Sequence, residues 1–243
     1  LASITDSTIA VDNVAEMLET NIIGTALLLE VAQKYKIKKI ILLSSGGVYG
    51  SLTKGKKIDE HHPFNPVNPY TASKLASDHI ALAFYSTYAT PVVILRPFNV
   101  YGPYQGINKV IPIFITKLLK NEPVVLNQGG RQKRDFVYID DLIDAIKLIV
   151  KAPINKVAGE TFNISLGYGV SMRKIADIIV QKLGKDNSFL KIPKVSKPEV
   201  LDSVGSADKI KMVLGWKPNY SLDRGLAETI AWYKSINDYE KQE

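Results

Sequence analysis

The sequence has 243 residues, 46% hydrophobic and 23% charged, so it is long enough to bury a sizeable core and has an ordinary globular composition. It contains no cysteine, which removes disulfides, thiolate nucleophiles and thiolate-ligated metals together. The net charge of +7 comes mostly from scattered lysines, densest at Lys54, Lys56 and Lys57, with no interleaved aromatics; it suits a phosphate-bearing small molecule and argues against nucleic acid.

No apolar run approaches the length of about eighteen residues that a membrane helix needs. The first residues lack the basic-then-apolar order of a signal peptide. The expectation is therefore a cytoplasmic chain without a membrane partner. Along the chain, apolar runs rich in Ile, Val and Leu alternate with stretches of helical spacing, the pattern of an α/β protein built on a parallel sheet. Residues from Val11 to Lys36 predict a long helix, and Lys38 to Leu43 a buried strand ending at Ser44-Ser45-Gly46-Gly47 before a polar loop. Pro69 opens a helix to about Tyr88, because proline in the first turn loses no hydrogen bond it could have made. Pro91 to Leu95 is the next strand.

After Gly102 the pieces shorten. A helix is expected near Val110 to Lys120, strands near Val124 and Phe136, a helix from Asp140 to Lys151, and a strand at Thr161 to Ile164. Ser171 caps a helix reaching Leu183, and Ser221 caps a closing amphipathic helix. Asp140 and Asp141 suit a helix start, where negative charge offsets the dipole, and Trp216 suits the core. His61 and His62 are adjacent in a loop, where neighbouring side chains rarely converge on one ion, so no metal site is expected.

Tyr70 and Lys74 lie one turn apart and share a helix face. A phenol titrates near 10 in water, so it serves as a base at neutral pH only when adjacent positive charge lowers its pKa, and Lys74 can supply that charge. The same spacing also arises by accident on surface helices. Ser45 follows one expected strand and Asn99 the other, which puts both at the edge where parallel α/β sheets collect ligands; turn chemistry explains serines there equally well.

The strings Ser44-Ser45-Gly46-Gly47-Val48-Tyr49-Gly50, Asn68-Pro69-Tyr70-Thr71-Ala72-Ser73-Lys74 and Leu95-Arg96-Pro97-Phe98-Asn99-Val100-Tyr101-Gly102-Pro103 resemble the extended short-chain dehydrogenase/reductase superfamily. Arg134-Asp135-Phe136-Val137-Tyr138-Ile139-Asp140-Asp141 and Leu214-Gly215-Trp216 are similar to its later landmarks. The resemblance implies a Rossmann-like doubly wound parallel sheet with a smaller interleaved α/β substrate domain. Residues 1–100 and 135–165 would form the NAD-binding part, and 101–134 with 166–243 the nucleotide-sugar part.

Carried over by position, the resemblance makes Tyr70 the base, Ser45 the hydroxyl sharing its hydrogen bond, and Lys74 the group that holds the nicotinamide ribose and depresses the phenol pKa. Asn21, Ser44, Pro97 and the strand end Leu1, Ala2 and Ser3 would lie beside NAD. Asn99, Val110, Asn127 and Arg134 would contact a UDP-sugar, Asn99 and Arg134 at its diphosphate, where a forked guanidinium suits phosphate oxygens. An ion pair of Arg134 with Asp135 or Asp141 is the structural alternative. A second phosphate-binding arginine usual in epimerases is missing, with Lys194 and Lys197 as nearby substitutes. By the same resemblance, the helices from Val11 and Pro69 would form a four-helix dimer contact, so a homodimer is expected.

Related 4,6-dehydratases carry an Asp-Glu pair after the serine position for acid/base work, whereas this chain has Gly46 and Gly47. Neither glycine can move a proton, so the resemblance favours a nucleotide-sugar 4-epimerase, which needs only oxidation and re-reduction at C4. A 4-ketoreductase and a non-catalytic sugar-nucleotide-binding module are the alternatives. No dinucleotide fingerprint occurs in the sequence: Gly46, Gly47 and Gly50 lead into a polar loop, and Gly167 and Gly169 lack a third partner. The resemblance puts that fingerprint two βα units of about 30 residues each before Leu1, so a longer protein is expected.

Overall fold

A computed structural model describes residues 3–5, 13–51, 56–194 and 202–239. Leu1, Ala2, Val11, Lys54 and Lys197 lie outside the described residues. The first helix, α1, comprises Val14–Leu18, a π turn at Glu19–Ile23 and Gly24–Lys34. It leads to strand β1 (Ile40–Leu43). The expected polar loop begins as a 3-10 turn at Gly46–Tyr49, because the Ser45 hydroxyl accepts from the Gly47 amide at 3.0 Å and caps it. Helix α2 (Pro69–Tyr88) starts at a reciprocal capping box: Asn68 Oδ1 accepts from the Thr71 amide, and Thr71 Oγ1 accepts from the Asn68 amide.

Strands β2 (Val92–Pro97) and β3 (Asn99–Tyr101) precede α3 (Val110–Leu119). Next come β4 (Val124–Val125), β5 (Lys133–Arg134), β6 (Phe136–Tyr138) and α4 (Ile139–Lys151). The chain continues through β7 (Thr161–Ile164), β8 (Val170–Ser171) and α5 (Met172–Lys182), which the Ser171 hydroxyl caps by accepting from the Lys174 amide. It ends with β9 (Leu190–Lys191), β10 (Asp202–Ser203), α6 (Asp208–Leu214) and α7 (Leu222–Tyr239), where Ser221 accepts from the Arg224 amide.

The run Val92-Val93-Ile94-Leu95 is apolar at every position, as a strand covered on both faces must be. It forms the middle of a parallel sheet of order β1-β2-β7. Alternation sends Val92 and Ile94 towards Leu29 of α1 and Ala81 of α2. Val93 and Leu95 face the other way, onto Leu142, Ala145 and Ile149 of α4 and Ile210 of α6. Helices therefore cover both faces, which is the doubly wound α/β arrangement expected. Lys39 closes the end of α4 by donating to the carbonyls of Ile149, Val150 and Ala152.

A second core gathers Ile111, Phe114, Ile115 and Leu118 of α3 with Ile175, Ala176 and Ile179 of α5 and Leu226 and Ile230 of α7. The parallel pair β3-β6 joins the two cores: Phe136 and Tyr138 face this one, and Val137 between them faces the sheet side. Trp216 is 1% exposed in the sheet-side core, and its indole N–H donates to the Asp141 carbonyl at 3.0 Å. The Asp141 carboxylate accepts from the Asn219 amide at 2.6 Å, so this acid ties down the segment before α7 as well as starting a helix.

Trp216→Ala empties a fully buried site and is expected to lower unfolding free energy by about 3–5 kcal/mol in urea titrations. Trp216→Phe keeps most of the volume and should cost clearly less.

Candidate active site

The β1-β2 register pairs Leu43 with Leu95, so both strands deliver their following residues to one edge of the sheet. A cavity of about 920 Å³ opens there. Its lining includes Ser3, Asn21, Ser44, Ser45, Tyr70, Lys74, Pro97, Asn99 and Val110, so most of the residues singled out from the sequence converge. Asn127 and Arg134 are not among the described residues that line it. Arg134 sits on β5 between β10 and β8, two residues before the cavity-lining Phe136, and its Nη1 donates to the Lys133 carbonyl at 2.9 Å. Lys194 is exposed on the segment after β9.

Tyr70 and Ser45 hydrogen-bond, which links the helix α2 hydroxyl to the serine turn. Burial pushes the Tyr70 phenol above its ordinary pKa, and the bond to Ser45 opposes this. The direction corrects the expectation that Lys74 depresses it. The Lys74 ammonium instead donates to the Leu43 carbonyl at 3.0 Å and is 8% exposed, so desolvation lowers its own pKa while Asp78 raises it.

Asn21 holds the other wall. Its Oδ1 accepts from the Ser3 hydroxyl at 3.0 Å and the Ile4 amide at 2.9 Å, and its Nδ2 donates to the Ile4 carbonyl and to Ser73 Oγ. The Ser73 hydroxyl in turn donates to the Tyr70 carbonyl. The π turn exposes the Asn21 carbonyl, which accepts from the hydroxyls of Thr25 and Ser77. Asn99 is engaged with the backbone: its amide N–H and its Nδ2 both donate to the Asp135 carbonyl, at 2.9 and 3.1 Å.

Two glycines line the serine turn under close packing. A Cβ built on Gly46 would stand 2.8 Å from the Phe98 ring, and one on Gly47 would stand 2.7 Å from Thr71 Cγ2. The space an acid would need beside Ser45 is filled.

Sequence reading did not find the charges behind this wall. Asp78 is 1% exposed, and its Oδ2 accepts from the Ser44 hydroxyl and from Arg96 Nε, each at 2.9 Å. The signal was present: Asp78 is one turn beyond Lys74, and Arg96 is a cation inside an otherwise apolar strand. Asp135 is also buried, at 0% exposed. It accepts from the amides of Leu166, Gly167 and Gly205 at 2.7, 2.9 and 3.3 Å, and so gathers the two loops that follow β7 and β10.

A doubly wound sheet with serine, tyrosine and lysine meeting at the carboxyl ends of its strands defines an extended short-chain dehydrogenase/reductase. The chain belongs to the NAD dependent epimerase/dehydratase family, whose model matches residues 1–165. It is 31% identical over 247 residues to a dTDP-glucose 4,6-dehydratase of Xanthomonas campestris, covering 92% of this chain and 68% of that protein. A dTDP-glucose 4,6-dehydratase of Streptomyces venezuelae, solved with NAD bound, superposes with a TM-score of 0.90 at 33% identity, covering 98% of this chain and 73% of that one. A UDP-glucose 4-epimerase of Thermotoga maritima, solved with UDP-glucose, gives 0.89 at 32% identity, covering 98% and 76%. The chain spans about two thirds of the length of the curated relatives it matches.

Burial pushes the Asp135 carboxyl up to about 6 from 3.8, against the pull of its three amides and of Lys57. The folded state therefore holds this proton more tightly than the unfolded chain, and the stability so contributed is lost as pH rises from about 4 to about 6. Asp135→Asn should flatten that part of the stability curve in denaturant titrations. Parallel curves for the two proteins would contradict the assignment.

Proposed function

We propose that this chain inverts C4 of a UDP-hexose through a transient 4-keto sugar, with Tyr70 as the base. The observation that carries the choice is the pair Gly46 and Gly47 beside Ser45, with Phe98 and Thr71 filling the space of the missing side chains. Water elimination needs proton-transfer groups at the sugar beyond the single base, and those two positions offer none.

The cavity fits the nicotinamide and ribose of NAD. Lys74 has three N–H donors and spends one on the Leu43 carbonyl, which leaves two for a ribose diol. Ser3, Asn21, Ser44 and Pro97 form the wall along which such a group would lie. NAD supplies a reversible hydride acceptor when bound. Tyr70 would take the proton of the C4 hydroxyl, and Ser45, which opposes the rise of the phenol pKa, would donate to the same sugar oxygen. Inversion would require the 4-keto sugar to present its opposite face, and Tyr70 would return the proton to the new C4 hydroxyl. Val110 at the start of α3, where no side chain caps the helix, and Asn99 and Arg134 beyond it, are proposed for the diphosphate. In this reading residues 1–100 and 135–165 serve the cofactor, and 101–134 with 166–243 the nucleotide sugar. Exposed Ile23, Leu27 and Val31 on α1 and Tyr85 and Tyr88 on α2 support a homodimer through these helices.

The dehydratase relatives favour a second reading, and one assay separates them. The purified protein with NAD is given UDP-glucose, UDP-N-acetylglucosamine, UDP-glucuronic acid and dTDP-glucose, and products are read by NMR and mass. C4 inversion without net NADH is expected. A 4-keto-6-deoxy product, one water lighter, would replace the proposal with dehydration, and stoichiometric NADH formation with an uninverted 4-keto sugar, the ketoreductase reaction in reverse, would replace it with ketoreduction. Tyr70→Phe should lower kcat by about 10²–10⁴-fold with little change in KM.

A further inference from the structure

Tyr70, Lys74 and Asp78 occupy successive turns of α2 and share a face. Lys74 is buried, and a buried ammonium sheds its proton unless an anion faces it. Its ammonium donates to the Leu43 carbonyl of β1, and Tyr70, Ser44, Ser45 and the neutral Asn21 line the same cavity. Glu60 lies farther off, behind the buried Tyr49, on which its charge acts. Among the described residues, Asp78 is the carboxylate whose charge bears on Lys74.

Asp78 is itself fixed by a cation from another element. Arg96 of β2 is 3% exposed; its Nε donates to Asp78 Oδ2, its Nη1 donates to the Tyr49 hydroxyl at 2.6 Å, and its guanidinium lies 5.1 and 4.8 Å from the ring centres of Tyr49 and Phe64. The second Asp78 oxygen, Oδ1, is buried without a hydrogen-bond partner. A buried ion pair is a poor device for stability alone, because apolar residues of similar volume often serve as well or better. Here the pair stands one helical turn beyond Lys74, and its carboxylate also accepts from the hydroxyl of the cavity-lining Ser44.

We propose that Asp78 is a positioning residue of this site: clamped by Arg96 and Ser44, its carboxylate keeps the buried Lys74 ammonium protonated at the foot of Tyr70. The order of influence runs from Arg96 to Asp78 to Lys74. Burial pushes the Asp78 carboxyl up, and the charge of Arg96, then the Ser44 hydroxyl, oppose this; Arg96 Nε pairs with its Oδ2 at 2.9 Å. The inference rests on the reading of Tyr70 and Lys74 as the reacting pair.

Asp78→Asn tests it, because the amide keeps an oxygen for Ser44 and Arg96 and removes only the charge. Protein labelled with [13Cε]lysine is titrated by NMR, with the Lys74 signal assigned by its loss in Lys74→Met. The Lys74 midpoint is expected to fall by about one pH unit or more. The alkaline limb of the kcat profile, where the ammonium is lost, should fall by the same amount with KM unmoved. Should the unpaired Arg96 unfold that variant, Asp78→Leu with Arg96→Met replaces the whole pair by apolar side chains, and the same fall is expected. A Lys74 midpoint at the wild-type value in either folded variant overturns the proposal. So does a lower kcat with an unshifted alkaline limb, which would mark the pair as structural. The titration needs no substrate, so a shifted midpoint in a protein that inverts no sugar would count against the epimerase reading and leave this inference standing.

Discussion

The in-register parallel pairing of β1 and β2 is the constraint from which the site follows. Because Leu43 lies opposite Leu95, the chain leaves both strands at one level, and the serine turn and the Pro97–Asn99 segment become neighbours. A slip of one residue would turn Val92 and Ile94 from the α1-α2 face to the α4-α6 face, so burial on both sides enforces the register. The same register carries Arg96 to the point where it reaches Asp78 on α2 and Tyr49 on the serine turn together. One guanidinium thereby joins the two elements that present Ser45 and Tyr70.

Polar groups are treated differently on the two sides of the cavity. Near Tyr70 they are linked through side chains: Ser3 to Asn21, Asn21 to Ser73, Ser44 to Asp78, and Asp78 to Arg96. Near Asp135 they are linked through backbone, with three loop amides on one carboxylate and two donors of Asn99 on one carbonyl. The first arrangement holds the side chains proposed for the chemistry, and its geometry depends on residue identity. The second holds loops, and it constrains where the chain passes more than what it carries.

Elements long enough to show a period were readable from the sequence: Pro69 and Ser171 mark observed helix starts, and Thr161–Ile164 is the strand expected. Strands β3, β5, β8, β9 and β10 are two or three residues long and define no alternation, so they exist only through their partners. Helix α1 was legible as a helix but not in phase. Met17 and Leu29 are both buried, yet twelve residues of regular helix would set them about 120° apart. The extra residue of the π turn at Asn21 reduces this to about 20°. At the site, Tyr70, Lys74, Ser45 and Asn21 carried local motifs, whereas Asp78 and Arg96 are joined only by folding. The pKa of Tyr70 was misjudged because burial, which no spacing reveals, outweighs the other influences on it.

The crowding of Gly46 by Phe98 and of Gly47 by Thr71 makes the proton-transfer inventory of this pocket a matter of volume. An acid at either position would displace Phe98 or Thr71, and Phe98 also packs on Gly205, so the change spreads to the loop after β10. These residues form one heritable packing unit. A lineage could exchange it only through intermediates that carry either a hole or a clash.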